Sequence, residues 1–354
     1  MLPDPTRRTA TIRIPFPARL SPHAERARRH TLQWLPEMGM LTGAAATVEY
    51  DALRLERLMA YFYPDATGTD LELATDFNAW FFIFDDQFDG RLGMRPEDIE
   101  QVVVSIDRTM AADDSSFRIP GSSAPPLVQG FHNIWRRATA GTTTVWQRRF
   151  RSNWQAYLAA HRGEALNRTA EHLPSLPEFL SVRRASIGVQ PCLDFTERCG
   201  GYTLPEELHG ASPLAEMREI TADVVIFVND IVSLVKELAA GDVNNSVIIH
   251  RERTGCTMDQ AVEHIAALAN AEVTRFVRLT STLSKTLGEL GVLPEIRGHV
   301  DHYVEGMGNL MAGNLAWSLA TARYDETGVA AVSRGRQRPW AHLAEATCRD
   351  VLRS

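Results

Sequence analysis

The sequence predicts an all-α protein folded as one domain. Two observations carry this. Apolar residues recur at three- and four-residue steps along nearly the whole chain, the spacing of a buried helix face. No segment alternates polar and apolar residues for long enough to build a sheet, and no internal repeat divides the chain. The 354 residues are 44% hydrophobic and 23% charged, enough apolar material for a sizeable core inside an ordinary charged surface.

Ser21-Pro22, a cap followed by proline at the first helical position, predicts a helix through about Trp34. Leu73, Phe77, Trp80, Phe81 and Phe84 form an apolar stripe that leads into Asp85. The stretch from Ala112 to Pro126 is rich in Ser, Pro and Asp and reads as a connecting loop. Helices are expected from Leu127 to Arg162 and from Leu176 to Ile187, with a break at Gly188. Gly200-Gly201 and Pro205 punctuate the next connection, before helices over Ala215–Leu238, Met258–Leu287 and Ile296–Ala322. The predicted domain is 1–354, with a core of about 13–324. Asp325 to Pro339 reads as mobile, and Trp340 to Arg353 as a short helix or a disordered tail.

The most informative stretch is Phe81-Phe82-Ile83-Phe84-Asp85-Asp86-Gln87-Phe88-Asp89. Three carboxylates follow a dense aromatic helix face. On a continuous helix Asp85 and Asp89 lie one turn apart and face the same way, so their charges repel unless a cation lies between them. Hard divalent ions such as Mg2+ take oxygen ligands, often one or two carboxylates plus substrate phosphates. A solvated acidic helix end would look similar, and a second constellation weighs against it. In Asn229-Asp230-Ile231-Val232-Ser233-Leu234-Val235-Lys236-Glu237, the residues Asn229, Ser233 and Glu237 recur every fourth position. They form a stripe rising about 12 Å. Side chains lean toward the helix N-terminus, so Glu237 can reach back toward Ser233 and complete a three-oxygen site. Lys236 beside it can meet a phosphate as a point charge.

On these residues the chain resembles the bacterial class I terpene cyclases, which carry a D-D-x-x-D motif and an N-D-x-x-S-x-x-K-E motif. Both stand complete here. Arg323-Tyr324 is a third match, and Arg183, 46 residues before Asn229, occupies the family's place for a diphosphate-sensing arginine. Arg184 is adjacent, so the sequence leaves the choice between the two open. The likeness spans roughly Arg13 to Tyr324. It implies a single-domain helical bundle of the class I terpenoid synthase type around a central active-site cavity.

The resemblance implies that three Mg2+ ions bind the diphosphate of an acyclic isoprenyl substrate, whose ionisation leaves an allylic carbocation. Asp85 is the direct ligand expected of the first motif, with Asp86 and Asp89 ligating through water or orienting neighbours. Asn229, Ser233 and Glu237 would hold another ion. Arg183, Lys236, Arg323 and Tyr324 would donate hydrogen bonds to the leaving diphosphate. Phe81, Phe82 and Trp317 are the aromatics expected to face the cation, although each could equally be plain core.

The formal charge of −7 disfavours nucleic acid as a partner, because a duplex needs a basic footprint. Cys192, Cys199, Cys256 and Cys348 form no C-x-x-C pair and read as free thiols in a reducing cytoplasm. No apolar run approaches the ~18 residues needed to span a bilayer, and no secretory signal is apparent. A homodimer is compatible with the likeness. Farnesyl diphosphate is the expected substrate, leading to a sesquiterpene, with geranylgeranyl diphosphate as the alternative. A chain-elongating isoprenyl transferase is a weaker reading, because its second motif would be aspartate-rich where Asn, Ser and Glu stand here. A helical scaffold without activity would explain the periodicity but not two oxygen-rich stripes.

Overall fold

The computed structural model describes residues 9, 11–89, 91–111, 125–170, 173–289, 291–325, 328–330 and 337–344. These form fourteen α-helices and no strand among the described residues. The first are α1 (Ala24–Glu37), α2 (Ala44–Asp51), α3 (Leu55–Phe62) and α4 (Gly68–Asp85). A single 3-10 turn, Asp86–Phe88, closes α4, and another spans Arg91–Met94. Then come α5 (Pro96–Ala111), α6 (Pro126–Thr139), α7 (Thr144–Thr169), α8 (Leu176–Ser186), α9 (Val189–Gly200) and α10 (Glu206–His209). The chain continues with α11 (Ser212–Ala240), α12 (Ser246–Thr254), α13 (Met258–Glu289) and α14 (Pro294–Ser318).

Local chemistry sets several of these boundaries. Thr67 and Thr143 cap α4 and α7 with their hydroxyls, and Ser175 with Glu178 makes a full capping box on α8. Gly188 breaks the chain between α8 and α9 with φ +74°, a left-handed conformation that favours glycine. The expected start at Ser21-Pro22 falls later. Ser21 instead accepts from the backbone ahead of α1, and the helix begins at Ala24. Most of the loop expected over 112–126 lies outside the described residues.

The core is strongly aromatic. Trp80 stacks on Phe84 at 4.6 Å, and Phe81 stacks on Trp154 at 4.6 Å, which ties α4 to α7. Trp80, Trp146 and Trp154 are fully buried. Burying rings of this size gives α4 and α7 much of their packing energy, of order 2–3 kcal/mol per large side chain. Helices α4, α7, α8, α11 and α14 then surround one deep cleft.

One expectation needs correction. The helix expected over Ile296–Ala322 ends at Ser318, because Ala320 and Thr321 turn back to the Trp317 carbonyl and Thr321 Oγ1 donates to the Leu53 carbonyl at 2.9 Å. The start of the last segment, read from Trp340 on as a short helix or a disordered tail, is held over 340–344. Trp340 is buried, Gln87 donates to its carbonyl at 2.9 Å, and the Ala344 amide donates to Gln87 at 3.0 Å. An apolar anchor and two hydrogen bonds outweigh the polar composition around it.

Candidate active site

The cleft encloses about 1220 Å3 of empty space, its mouth included. Its deep part is apolar, with Leu58, Phe62, Phe81, Phe82, Val225 and Trp317 along the walls. Its mouth gathers Asp85, Asp89, Arg183, Asn229, Lys236, Glu237, Arg323 and Tyr324. Residues 85 to 324 in sequence thus meet at one opening.

The aspartate-rich segment is not one continuous helix. α4 ends at Asp85, and the tighter 3-10 turn over Asp86–Phe88 carries the chain to Asp89. Asp85 and Asp89 nevertheless both face the cleft. Burial alone would raise the Asp85 carboxyl, but His161, Arg323 and Arg183 outweigh it and hold the group well below the usual carboxylate range. Asp89 lies 3.2 Å from Lys236 Nζ, which puts Lys236 between the two motifs.

Asp86 does not line the cleft, which fits the second of its two expected roles, orienting neighbours, and not that of a metal ligand. It is buried, its Oδ1 accepts from Arg323 Nη2 at 2.8 Å, and its Oδ2 accepts from Trp340 Nε1 at 2.9 Å. Both oxygens are committed to neighbours, so Asp86 orients Arg323.

On α11, Asn229 Oδ1 accepts from Arg183 Nη2 at 3.2 Å, and its amide donates to the Tyr324 hydroxyl at 3.1 Å. Glu237 accepts from Asn245, the residue that caps α12, at 2.6 Å. Burial, together with Asp230 and Asp242, pushes the Glu237 carboxyl up to about 7. Ser233 Oγ is buried and has no hydrogen-bond partner of normal geometry among the described residues, although it lies near enough to favour the Glu237 carboxylate. An orphaned hydroxyl between a carboxamide and a repelled carboxylate is the donor set of a hard cation. Arg323 Nη1, buried and without a partner among the described residues, is equally suited to an incoming anion.

The two adjacent arginines part company. Arg183 enters the cleft and meets Asn229 and Glu164, whereas Arg184 makes a two-pronged pair with Asp223 at 2.7 and 2.8 Å away from it. The three aromatics of the sequence analysis all line the cleft. Phe81 and Phe82 line the cleft, and Trp317 meets the Phe82 ring edge-on at 5.4 Å. The Arg323 guanidinium lies 5.0 Å over the Phe82 ring, so one face of that ring already serves a cation.

Several contributors are missing from the sequence reading. His161 Nε2 lies 3.5 Å from Asp85, while its Nδ1 contacts the Tyr157 carbonyl at 3.0 Å. Glu164 bonds Ser186 and sits 3.3 Å from Arg183. Arg168 pairs with Asp242 at 3.0 Å across the mouth. His161, Glu164 and Arg168 lie on one stripe of α7 at three- and four-residue steps, a pattern that was visible in the sequence. A further acidic group, Asp194, Glu197 and His209, lies away from the cleft. Arg149 pairs with both of its carboxylates, at 3.2 and 2.6 Å, and thereby takes the place a metal would need.

Comparison with known proteins agrees with this geometry. Residues 76–275 match the family model for terpene synthase family 2, C-terminal metal binding. Pristinol synthase of Streptomyces pristinaespiralis is 68% identical over 97% of this chain and 92% of its own length. Isoafricanol synthase of Streptomyces violaceusniger is 49% identical over 96% and 90%. A β-caryophyllene synthase of Saccharothrix espanaensis, named for cyclising (2E,6E)-farnesyl diphosphate, is 29% identical over 90% of each chain. The crystal structure of linalool/nerolidol synthase from Streptomyces clavuligerus superposes with a TM-score of 0.78 at 30% identity, over 87% of this chain and 99% of that one.

Proposed function

From the premise that the chain belongs to the bacterial class I terpene cyclases, we propose that it ionises and cyclises farnesyl diphosphate to a sesquiterpene. The observation that carries this reading is one opening where two oxygen-donor sets and three cationic side chains face each other above an apolar aromatic cleft. The farnesyl choice is supported by the Saccharothrix espanaensis relative, which is named for cyclising farnesyl diphosphate. Geranylgeranyl diphosphate remains the alternative.

Asp85 and Asp89 on one side, and Asn229, Ser233 and Glu237 on the other, are the residues that would hold Mg2+, three ions in all. When bound, the metal would supply Lewis-acid charge that stabilises the departing diphosphate. Arg183, Lys236 and Arg323 would donate charge-assisted hydrogen bonds to the same group, and Tyr324 would donate its hydroxyl. Asp86 holds Arg323 in place at the cleft. Donors fixed in advance cost no reorganisation when the carbon–oxygen bond breaks, an effect worth several kcal/mol. The cation left behind would meet Phe81, Phe82 and Trp317, each worth up to about 2 kcal/mol when desolvated.

Among the described residues no helix is long and apolar enough to cross a membrane. Cys192, Cys199 and Cys256 stand as free thiols, in keeping with the cytoplasmic setting we propose. The test is diphosphate release with Mg2+ and a single allylic diphosphate of ten, fifteen or twenty carbons, with mass analysis of the volatile products. Turnover that required isopentenyl diphosphate as well would overturn cyclisation in favour of chain elongation.

A further inference from the structure

Two polar side chains in the deep, apolar part of the cleft have no role in the ionisation described above. Asn78 on α4 and Asn314 on α14 both line the cleft and are both nearly buried. Asn78 lies seven residues before Asp85 on one helix, about 10 Å below the metal-binding mouth. Asn314 donates to the Val225 carbonyl at 3.4 Å, one helical turn below Asn229.

The orientation of each amide is fixed by its partner. Asn78 Nδ2 donates to the Leu55 carbonyl at 3.3 Å, as Asn314 Nδ2 does to Val225. A backbone carbonyl only accepts, so the NH2 group must point at it and the amide oxygen must point the other way. Neither Oδ1 accepts a hydrogen bond from any described residue, and neither is sealed from the cavity. Two carbonyl oxygens therefore face an otherwise apolar space. Tyr157 also lines the cleft, but its ring packs edge-on against Phe81 and His161, beside Asp85 at the mouth.

We propose that Asn78 Oδ1 and Asn314 Oδ1 hold a water molecule that quenches the final carbocation, so that the product is a terpene alcohol. The proposal rests on the cyclase reading above. An apolar cavity stays dry, and a water needs polar partners to remain in it. Acceptors suit a nucleophile better than donors would. Water that gives its hydrogens to amide oxygens keeps a lone pair free for the cation. The water oxygen forms a bond to the cationic carbon, and the oxonium so produced loses one proton to the released diphosphate. The net result is one alcohol and one protonated diphosphate from one substrate and one water.

The test is turnover of farnesyl and geranylgeranyl diphosphates by the full chain with Mg2+ in 18O-water, with diphosphate release measured in the same samples. Labelled terpene alcohol is expected from the wild type. Asn78→Leu and Asn314→Leu should each lower the ratio of alcohol to hydrocarbon several-fold. A ratio taken among the products formed is insensitive to a variant that is merely slower or partly unfolded. Diphosphate release with only unlabelled hydrocarbon from the wild type would overturn the proposal while leaving the cyclase reading intact, and so would an unchanged ratio in both variants. No diphosphate release from any substrate would overturn both.

Discussion

Arg323 and Asp86 form a buried ion pair at 2.8 Å, linking the segment that follows α14 to the aspartate-rich turn after α4. Removing one partner of a buried pair leaves the other charge uncompensated, at a cost of about 3–5 kcal/mol. Asp86→Ala should therefore lower the melting temperature markedly as well as the activity. Trp340→Phe, which removes one hydrogen bond to Asp86 and part of a buried ring, should cost less than Asp86→Ala. An Asp86→Ala variant that melts at or above wild type would mean that the pair contributes no net stability.

Asp85→Asn and Glu237→Gln should both abolish most activity but differ in stability. Both residues sit at the mouth beside other carboxylates, and Glu237 is already pushed up to about 7 by burial and its acidic neighbours. Neutralising Glu237 relieves repulsion, so that variant should melt at or above wild type, whereas Asp85→Asn gives up the attraction of His161, Arg323 and Arg183 and should melt lower; in both, diphosphate release at saturating Mg2+ should fall by orders of magnitude. Normal turnover in either variant would remove that residue from the metal site.

The arginines give a paired comparison within one turn of α8. Arg183→Ala should weaken binding of inorganic diphosphate with Mg2+ by about tenfold or more, as expected for the loss of a charge-assisted donor. Arg184→Ala loses its pairs with Asp223 and Glu219, both residues outside the cleft lining, and should bind as wild type. Titration calorimetry on both variants separates them, and equal losses would contradict the cleft geometry.

What could be read in the sequence follows from the range of each interaction. The spacing of Asn229, Ser233 and Glu237 is local helix geometry, and the separation of Arg183 from Asn229 belongs to a motif, so both were legible. The partner of Asp86 was not. Trp340 lies 254 residues away, in a segment whose composition points to solvent. The 3-10 turn after Asp85 was equally hidden, since the same letters suit a continuing helix. Neither did the polarity of Asn78 and Asn314 reveal which atoms face the cavity, because their orientation depends on carbonyls of other helices.

The buried group around Arg149 makes a pH prediction outside the active site. Burial raises Asp194 to about 6 and Glu197 to about 7, against the opposing pull of Arg149. Unfolded, such groups ionise near pH 4. Between about pH 4 and 7 the unfolded chain sheds protons that the folded chain keeps, so these two groups take stability away as pH rises through that window. Below it their contribution is present in full. Glu197→Gln does not titrate, so its stability relative to wild type should improve by on the order of 1–2 kcal/mol from pH 5 to pH 8. Denaturant melts at both values check this, and a constant gap would mean that Glu197 is ionised throughout.

Phe81 separates shaping of the cation from ordinary packing. Its ring is stacked on Trp154, edge-on to Phe77 at 4.7 Å and Tyr157 at 4.4 Å, and it also lines the cleft. A Cβ added at Gly188 would come within 3.1 Å of the same ring, so the helix break and the aromatic wall are fitted to each other. Phe81→Ala would mix two effects, since deleting a buried ring costs about 3–5 kcal/mol. Phe81→Leu keeps most of the volume and removes the quadrupole, so stability should fall by less while the product mixture shifts toward early-quenched or alternative hydrocarbons. Diphosphate release should change much less than the product distribution, because the groups that meet the diphosphate are untouched. Product profiling alongside a melting curve decides the matter. A destabilised variant that makes the wild-type product in unchanged proportion would show Phe81 to be core alone.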